Sequence, residues 1–509
     1  MEYAIAVIDI GMTNKKVAVF DDSLRQIDMV SRTFPPLMVS HGGGDLETHD
    51  LGSMKEWFFA ELKQFASRYP VRAVSVTTHG ATFVCLDKDG QVCAPCVFYT
   101  YEPGEAFHRQ FYALAGDRDR LQETTFTPPF SSLINPAKGI FFLQKHFPEN
   151  FSRVATLLNY PQYWGFVLTG VTGIEPTYMG CHTYLWNHEE GTYSPVPEAL
   201  GIRKLLPENY RNSYETLGSL TGEALALTGL PKDTIVTMGI HDSNASLLPY
   251  LARDDGGDFI LNSTGTWCVL MHPQDKFNFN PGDIGNIVFF NQSALRKPVK
   301  TSIFCGGMEF DTWMGLYKQY NPQAEGPSYD PEVFAALFRE NDSYLLPELV
   351  PGSGQFNKSQ SGILEKGKFY PIEEIRKGNI PPAMREGKKF FALLTASLVI
   401  QTVVASRRAG RREGTRIFTE GGFRKDRAYN QLLAAMLPEN RVYLTNMNEA
   451  TSTGAAMTAV MAYTGKSHND IADTLSIEYS AVEAAAFPNH THYTEKWLAA
   501  ANHDTRSII

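Results

Sequence analysis

The stretch Ile5-Ala-Val-Ile-Asp-Ile-Gly-Met-Thr-Asn-Lys-Lys-Val17 joins an apolar run to a polar turn, and a second apolar run continues to Phe20. The same arrangement returns over residues 259–271, where the turn reads Asn262-Ser-Thr-Gly-Thr-Trp267. Continuous apolar runs of this length are typical of strands that are covered on both faces of a sheet. The recurrence therefore predicts two similarly built halves, each beginning with a strand, a turn and a second strand.

Further apolar runs alternate with segments of helical periodicity along the rest of the chain. Strands are predicted at residues 71–77, 235–240 and 416–420, and helices at residues 51–68, 389–408, 429–437 and 450–463. This alternation predicts an α/β protein.

The length of 509 residues exceeds what one hydrophobic core supports, which is about 250–300 residues. We expect two domains, residues 1–246 and 247–509, with a hinge in residues 243–257, where the run Arg253-Asp-Asp-Gly-Gly-Asp258 breaks the pattern. Residues 278–300 and 322–382 look like insertions or caps.

Composition and charge exclude several classes of function. The 55 acidic side chains outnumber the 46 basic ones, and a net charge of −9 disfavours nucleic acid and anionic membrane surfaces as partners. The N-terminus has no basic region of a signal peptide, and the uncharged residues 390–406 fall short of a membrane span, so a cytoplasmic protein is expected. The six cysteines show no disulfide framework, and Cys93 and Cys96 are predicted to be reduced thiols.

The first turn has the residues of a phosphate cradle. Asp9 ends a strand, Gly11 allows an unusual backbone conformation, and Thr13, Asn14 and Lys16 follow within the turn. The alternative is a plain hairpin turn. The chain has neither a Walker loop nor the three-glycine dinucleotide pattern.

The second turn offers hydroxyl groups in place of fixed charge. Thr264 and Thr266 flank Gly265 directly after an apolar strand, so all three are candidate phosphate contacts. A polar strand-to-strand turn is the alternative. Two such turns from separate halves can hold one polyphosphate from both sides of a cleft.

A third apolar strand leads to His241 and Asp242, followed by Ser243. An acid at the carboxyl end of a strand lies where open α/β sheets bind ligands, so Asp242 is a candidate general base. Its alternative role is to cap a helix. For His241 we expect a positioning or core role.

The fourth constellation combines Gly421 and Gly422, after the strand at residues 416–420, with the segment Asn448-Glu-Ala-Thr-Ser-Thr-Gly-Ala-Ala456. Paired glycines let a flat base or a ribose approach the backbone, so a nucleoside seat is one interpretation and tight packing is the other.

Taken in order, these motifs resemble those of the FGGY carbohydrate kinases, and the similarity runs from Ile5 to about Tyr463. Such proteins have two actin/hexokinase-like (ribonuclease H-like) domains with ATP and sugar in the central cleft. The segment from Thr77 to Asp87 and the second turn are similar to those of the rhamnulokinase and L-fuculokinase branch, whose substrates are 6-deoxyketoses.

The resemblance implies a role for each matching residue. The ATP phosphate loop would comprise Asp9, Gly11, Met12, Thr13, Asn14, Lys15 and Lys16, with Thr264, Gly265 and Thr266 opposite and Gly421 and Gly422 at the nucleoside. The sugar would contact His79, Gly80, His241, Asp242 and Ser243. Asp242 would accept the proton of the C1 hydroxyl, and Asp9 and Asp242 would hold Mg²⁺ through water.

Two departures from the family pattern concern the turn and the sugar. Met12 stands where Thr, Ala or Ser is usual, and His79 stands where rhamnulokinases carry Trp, which leaves the sugar undetermined. Further candidate pocket residues are Tyr99, Tyr101, Glu102, Thr177 and His182.

The implied function is an ATP-dependent kinase of a ketose such as L-rhamnulose or L-fuculose. Other ketoses or polyols (xylulose, ribulose, glycerol), a non-sugar ATPase of the actin superfamily and a binding-only descendant are the alternatives. The motif His41-Gly-Gly-Gly44 is similar to an esterase oxyanion loop, but no nucleophile elbow accompanies it. The sequence leaves open whether the protein is a monomer or a homodimer.

Overall fold

The computed structural model of the protein describes residues 1–42, 44–253, 257–323, 328–447, 449–475 and 477–501. Four features of the sequence therefore fall partly outside the described residues: the loop 41–44 at residue 43, the expected hinge at residues 254–256, the expected cap 322–382 at residues 324–327, and the fourth motif at Asn448.

The strands and helices of the N-terminal half are as follows. The strands are β1 Ala4–Ile10, β2 Asn14–Asp21, β3 Gln26–Thr33, β4 Leu37–His41, β5 Gly44–Thr48, β6 Val71–Thr78, β7 Phe83–Leu86, β8 Thr156–Asn159, β9 Trp186–Asn187, β10 Thr192–Tyr193, β11 Thr216–Ser219, β12 Ile235–Thr237 and β13 Ile240–His241. The helices are α1 Leu51–Ala66, α2 Glu105–Ala115, α3 Arg118–Thr125, α4 Pro136–His146, α5 Pro148–Phe151, α6 Tyr160–Thr169, α7 Pro176–Met179, α8 Val196–Ala199 and α9 Gly222–Thr228.

The C-terminal half begins with a helix and continues with the second large sheet. Its helices are α10 Asp242–Ala252, α11 Gly306–Tyr320, α12 Pro331–Glu340, α13 Ile372–Arg376, α14 Gly387–Arg408, α15 Arg427–Met436, α16 Ala450–Thr464, α17 His468–Ala472 and α18 His490–Ala500. Its strands are β14 Phe259–Thr264, β15 Cys268–Pro273, β16 Val288–Gln292, β17 Pro298–Phe304, β18 Ser343–Leu346, β19 Gly362–Glu365, β20 Lys368–Pro371, β21 Arg416–Gly421, β22 Arg441–Thr445 and β23 Tyr479–Ala481. Short 3-10 helices cover Arg203–Leu205, Pro382–Arg385 and Gly422–Lys425.

The two large sheets share one five-stranded plan. The order β3-β2-β1-β6-β12 in the first sheet corresponds to β17-β15-β14-β21-β22 in the second. In each sheet the first three strands are antiparallel neighbours, and the last two run parallel to the central strand β1 or β14. The prediction of two similarly built α/β halves is confirmed.

Two helices pack between the sheets and tie the halves together. Helix α10 buries Leu247 and Leu251 against the second sheet and Leu248 against the first, while α16 packs on β1 and β6 of the first sheet. The two helices cross so closely that a Cβ on Gly454 would lie 1.8 Å from the backbone oxygen of Ala245. The expected domain boundary at residues 246 and 247 falls inside α10.

The structure differs from the expected elements in two places. The strand predicted at residues 235–240 is interrupted at Gly239, whose φ of +83° takes the chain out of extended geometry. Residues 278–300 are not a cap, because they contain β16 and the first part of β17, the third strand of the shared plan. Where it is described, the region 322–382 does form a cap, made of α12, α13 and the small sheet β18-β19-β20.

The long apolar helix α14 belongs to the core of the C-terminal half. It is long and apolar enough to cross a membrane, but 89% of its most apolar window is buried inside the protein. The prediction of a buried helix is confirmed. All six cysteines are buried and free, as predicted for Cys93 and Cys96.

Candidate active site

Three neighbouring cavities follow one another along the cleft between the halves. The inner cavity, of about 300 Å³, lies beside His79, Gly80 and Asp242. The middle cavity, of about 350 Å³, lies between the two predicted turns. The outer cavity, of about 610 Å³, is bordered by Gly422 and Phe423. Gly265 and Thr266 line all three cavities, so the cavities adjoin one another.

The turn between β1 and β2, which we call the first bend, borders the middle cavity. The Gly11 N–H donates to the Asn14 carbonyl at 3.0 Å and closes the turn. Gly11, Met12, Thr13, Asn14 and Lys16 all line the middle cavity. These five predicted residues lie together because β1 and β2 meet at the edge of the sheet that faces the cleft.

Lys16 and Lys15 have different surroundings although they are adjacent. The Lys16 ammonium lies 2.5 Å from the carboxylate of Glu449, at the start of α16, and this pair bridges the cleft. The buried Lys15 does not line the middle cavity; its ammonium donates to the Met12 carbonyl at 2.7 Å. Successive side chains of a strand point to opposite faces, which explains why only one of the two lysines reaches the cavity. Burial lowers the pKa of Lys15 to about 8.

The turn between β14 and β15, which we call the second bend, is held by uncharged groups. The Thr264 hydroxyl donates to the Glu420 carbonyl and accepts from the Phe423 N–H at 2.9 Å, so it is occupied inside the protein. Thr266, in contrast, is exposed to the cavities.

The N-terminus of α11 lies against this second bend. The Met308 N–H donates to the Thr266 carbonyl at 3.1 Å, and a Cβ on Gly307 would lie 2.0 Å from the Gly265 oxygen. No motif predicted a role for this segment, although two adjacent glycines, here the first residues of α11, are a usable signal for such a close approach.

Asp242 lies where the inner and middle cavities meet. It is the first residue of α10, directly after β13, and 32% of its side chain is exposed into the cleft. One of its carboxylate oxygens accepts the Ser243 N–H at 2.6 Å, while His241 occupies the cap position of the helix. Enclosure in the cleft raises the pKa of Asp242 to about 6, although the Ser243 hydrogen bonds oppose this shift.

Asp9 lines the middle cavity from the end of β1. Its carboxylate accepts the Ser452 hydroxyl at 2.6 Å. Burial raises the pKa of Asp9 to about 6; the Ser452 hydrogen bond and Lys16 lower it, while the negative charges of Asp242 and Glu449 add to the rise. Two incompletely neutralised carboxylates beside one cavity fit a hard divalent cation such as Mg²⁺, which prefers oxygen ligands.

Three imidazoles surround the inner cavity. Burial lowers the pKa values of His79, His182 and His241 to about 3, so all three rings are neutral at pH 7. Nε2 of His79 and the Nδ1 atoms of His182 and His241 have no hydrogen-bond partner among the described residues. The contact of 3.4 Å between His241 Nδ1 and Asp242 is therefore not an ion pair. Neutral rings of this kind can donate to or accept from hydroxyl groups.

Gly80 makes room for two of these imidazoles. A Cβ at this position would lie 2.6 Å from Nε2 of His241 and 3.1 Å from Nε2 of His182. Gly80 lines the inner cavity together with Ser243. The close approach explains why the sequence has glycine two residues after the end of β6.

Of the further candidate residues, Tyr99 and His182 line the inner cavity and the other three do not. The Tyr101 hydroxyl lies 3.3 Å from His41 Nε2, and the Glu102 carboxylate accepts the Ser132 N–H at 2.5 Å.

Thr177 acts behind the inner cavity. Its hydroxyl accepts the His241 N–H at 3.0 Å and donates to the Glu175 carboxylate at 2.9 Å. Glu175 and Thr177 thereby fix the start of α10 and with it the position of Asp242. This arrangement depends on α7, which the sequence pattern did not reveal.

An apolar wall completes the inner cavity. Its side chains, which come from both halves, are Met12, Ala81, Ile134, Val269, Phe289 and Ile303. Helix α3 of the N-terminal half also contacts the second sheet, because the Gln122 amide donates to the carbonyls of Asn286 and Val288 at 3.0 Å each.

The outer cavity has an aromatic border that the motifs did not predict. Phe310, Tyr329 and Phe423 line it together with Gly422. Gly421 instead lines the middle cavity, as do Glu449 and Thr451. Of the described part of the motif 448–456, Glu449, Ala450 and Thr451 therefore border the middle cavity beside the two bends.

Comparison with known families accounts for most of the chain. Residues 4–249 match the description "FGGY family of carbohydrate kinases, N-terminal domain", and residues 256–468 match "Carbohydrate kinase FGGY, C-terminal domain".

Curated relatives are more distant and match over part of their length. The chain is 26% identical over 274 residues to a probable L-xylulose kinase of Pasteurella multocida, covering 52% of this chain and 54% of the relative. It is 27% identical over 200 residues to a rhamnulokinase of Enterococcus faecalis, covering 39% and 38% of the two chains. An L-fuculokinase of Escherichia coli is 25% identical over 279 residues, with 52% and 56% covered.

Solved structures share the whole fold. A carbohydrate kinase from Novosphingobium aromaticivorans superposes with a TM-score of 0.75 at 24% identity, over 98% of this chain and 99% of that one. A ligand-bound xylulose kinase from Lactobacillus acidophilus gives a TM-score of 0.77 at 15% identity, over 98% and 97%. The expected fold of two actin/hexokinase-like domains is confirmed. The chain belongs to the FGGY family of carbohydrate kinases.

Proposed function

We propose that this protein transfers the γ-phosphoryl group of ATP to the C1 hydroxyl of a ketose. The observation that carries the proposal is the order of the three cavities, with Asp242 at the junction of the inner and middle ones. A sugar in the inner cavity, a triphosphate between the bends and a nucleoside in the outer cavity would lie in line. This order aligns acceptor and donor, which is the main requirement of phosphoryl transfer.

In this proposal Asp242 is the general base. Its carboxylate accepts the proton of the C1 hydroxyl as the oxygen attacks the γ-phosphorus and ADP leaves. A pKa of about 6 keeps the carboxylate ionised at neutral pH and still basic enough to take a proton. Glu175 and Thr177 hold the carboxylate in place through His241.

The two bends hold the phosphates in the same scheme. Gly11 to Asn14 with Lys16 would contact them from one side, and Gly265 and Thr266 from the other. Mg²⁺ would be held by Asp9 and Asp242 through water, and when bound it neutralises charge on the phosphate oxygens.

For the sugar we propose a 6-deoxyketose such as L-rhamnulose or L-fuculose. The neutral imidazoles of His79, His182 and His241 suit its hydroxyl groups, and the apolar wall suits its methyl group. L-Xylulose is the second candidate, because one of the relatives is described as a probable L-xylulose kinase. A sugar-independent ATPase would have no use for the inner cavity.

The test is an ADP-release assay over L-rhamnulose, L-fuculose, L-xylulose, D-ribulose, D-xylulose and glycerol. We expect one 6-deoxyketose to give a kcat/KM at least about tenfold above the other compounds, since unpaired polar groups penalise the wrong sugar. A pentulose as the best substrate would overturn the choice of sugar. ADP release at full rate without any sugar would overturn the kinase function.

We also propose a cytoplasmic location. Six free cysteines, all buried, are in keeping with a reducing compartment.

A further inference from the structure

A fourth cavity, which we call the basic cavity, lies at the other end of the second sheet. Its volume is about 760 Å³, and it is bordered by Phe259 at the start of β14, Pro273 at the end of β15, and Lys300. The second bend, in contrast, follows the last residue of β14. The basic cavity shares no lining residue with the inner, middle or outer cavity.

The walls of the basic cavity carry an excess of positive charge. Two acidic side chains, Asp258 and Asp275, face six basic ones, and the whole chain is negative by nine charges. The six are Lys276, Lys297, Lys300, Arg407, Arg411 and Arg412. This concentration of cations runs against the overall composition, so it is not a consequence of a generally basic surface.

Two of the cations are already neutralised by carboxylates. The buried Lys300 ammonium lies 2.5 Å from Asp283, and the Arg412 guanidinium lies 2.9 Å from Asp258. Asp258 also accepts from His272 Nε2 at 2.8 Å. These groups form the rigid frame of the cavity and are not available to a ligand.

Three other cations remain without such a partner. Across the described ranges of the chain, no carboxylate oxygen lies within 4.0 Å of the charged groups of Lys276, Arg407 or Arg411. The buried Nη1 of Arg411 also has no hydrogen-bond partner in the described structure. Burial lowers the pKa of Arg411 to about 10; the nearby charge of Arg407 acts in the same direction, and the more distant carboxylate of Glu439 opposes the shift. A buried guanidinium N–H without an acceptor is rare in folded proteins.

We propose that the basic cavity binds a small polyanion, a molecule with at least two phosphate or carboxylate groups. Arg407 and Arg411 supply planar forks that suit the oxygens of one such group, and Lys276 adds an exposed cation. The volume lies in the range of small-molecule sites. The site is separate from the proposed kinase cleft and stands whether or not the proposed sugar is correct.

Calorimetric titration of the full chain with pyrophosphate tests this proposal, in buffer free of nucleotide and divalent cations, because ADP is itself a small polyanion and Mg²⁺ binds the probe. We expect a binding event that is weakened about tenfold or more in the double variant Arg407→Ala/Arg411→Ala, since charge-assisted hydrogen bonds to the anion are lost. Pyrophosphate bound in the kinase cleft would be unaffected by this change. A matched control, Lys63→Ala/Arg109→Ala, removes two exposed positive charges from the N-terminal half and should bind as the wild type does.

Two further experiments identify the chemistry of the ligand and control for misfolding of the double variant. Lys276→Ala changes an exposed side chain and should weaken binding several-fold with no loss of stability. Citrate replaces pyrophosphate in a parallel titration, and the tighter of the two probes assigns phosphate or carboxylate chemistry. The proposal fails if neither probe binds to the protein, or if binding is the same in the Arg407/Arg411 double variant, the Lys276 variant and the wild type.

Discussion

The first and second bends have the same place in the two sheets but are built by different physical means. The first bend rests on cations, with Lys15 buried beneath its carbonyls and Lys16 beside the cavity. The second bend has no charged residue and is held by the Thr264 hydroxyl and by the N-terminus of α11. A helix N-terminus carries a partial positive charge, so backbone groups provide here what lysines provide opposite. The same strand-turn-strand plan is thus held by lysine side chains in one half and by a hydroxyl and backbone groups in the other.

The largest effect is expected at Asp242, which faces both bends. Asp242→Asn should lower kcat by at least about 10²-fold, because the general base is lost. The affinity for ADP, measured by calorimetry, should change little, since neither bend depends on this carboxylate for its shape. Near-normal turnover would refute the assignment of the base, and a large loss of ADP affinity measured without Mg²⁺ would mean that Asp242 contacts the nucleotide directly.

The next largest effect is expected from substitutions that disturb one bend at a time. Gly307→Ala places a Cβ 2.0 Å from the Gly265 oxygen and should displace the second bend, which lowers kcat/KM for ATP about tenfold or more. Gly11→Ala should lower kcat/KM for ATP by a smaller factor, because its Cβ would lie 3.1 Å from the Asn14 oxygen.

Gly315→Ala, on the same helix α11, is the matched control for Gly307→Ala. Its Cβ would meet open space, so wild-type kinetics are expected. If Gly11→Ala is the more harmful of the two bend variants, the second bend is not the more tightly packed one.

The pH dependence of kcat/KM should follow the titration of the two carboxylates between the bends, Asp9 and Asp242. Burial raises the pKa of both Asp242 and Asp9 to about 6, and the proposed base works only when ionised. We expect kcat/KM for the sugar to be level above about pH 7 and to fall about tenfold for each pH unit well below 6. A profile that stays flat from pH 8 to pH 5 would mean that neither carboxylate titrates in this range.

The smallest effect concerns the stability of the second bend. Thr264→Val leaves the Phe423 N–H and the Glu420 carbonyl without the hydroxyl that pairs with both, which should cost about 1–3 kcal/mol of unfolding free energy. Thr13→Val in the first bend changes an exposed side chain and should leave the melting temperature unchanged. An equal fall in melting temperature in the Thr264→Val and Thr13→Val variants would contradict the different construction of the two bends.

The local patterns predicted much of this molecule. The strands at β1, β6, β14 and β21 and the helix α14 lie where apolar runs and periodicity indicated, because burial on both faces leaves a continuous apolar signal. The two turns and Asp242 were found from their positions after strands, since the carboxyl ends of parallel strands meet at one edge of a sheet.

Features that depend on distant contacts were not predictable in this way. The role of Lys15 beneath its own turn could have been suspected from strand alternation, but the pairing of Lys16 with Glu449 joins residues more than 400 positions apart. Phe310 and Tyr329 at the outer cavity and Thr177 behind His241 carry no local motif.

The sequence by itself determined the two α/β halves, the two turns and the acid at the end of β13, because each depends on neighbours along the chain. Only the tertiary structure decided how the halves are joined, with α16 of the second half packed on the first sheet and Gly454 against Ala245 of α10. It also decided which charged side chains, in the cleft and around Arg411, lack an oppositely charged partner within the part of the chain that the structure describes. The physical reason is that burial and charge pairing are properties of surroundings, and these surroundings come from segments that only folding brings together.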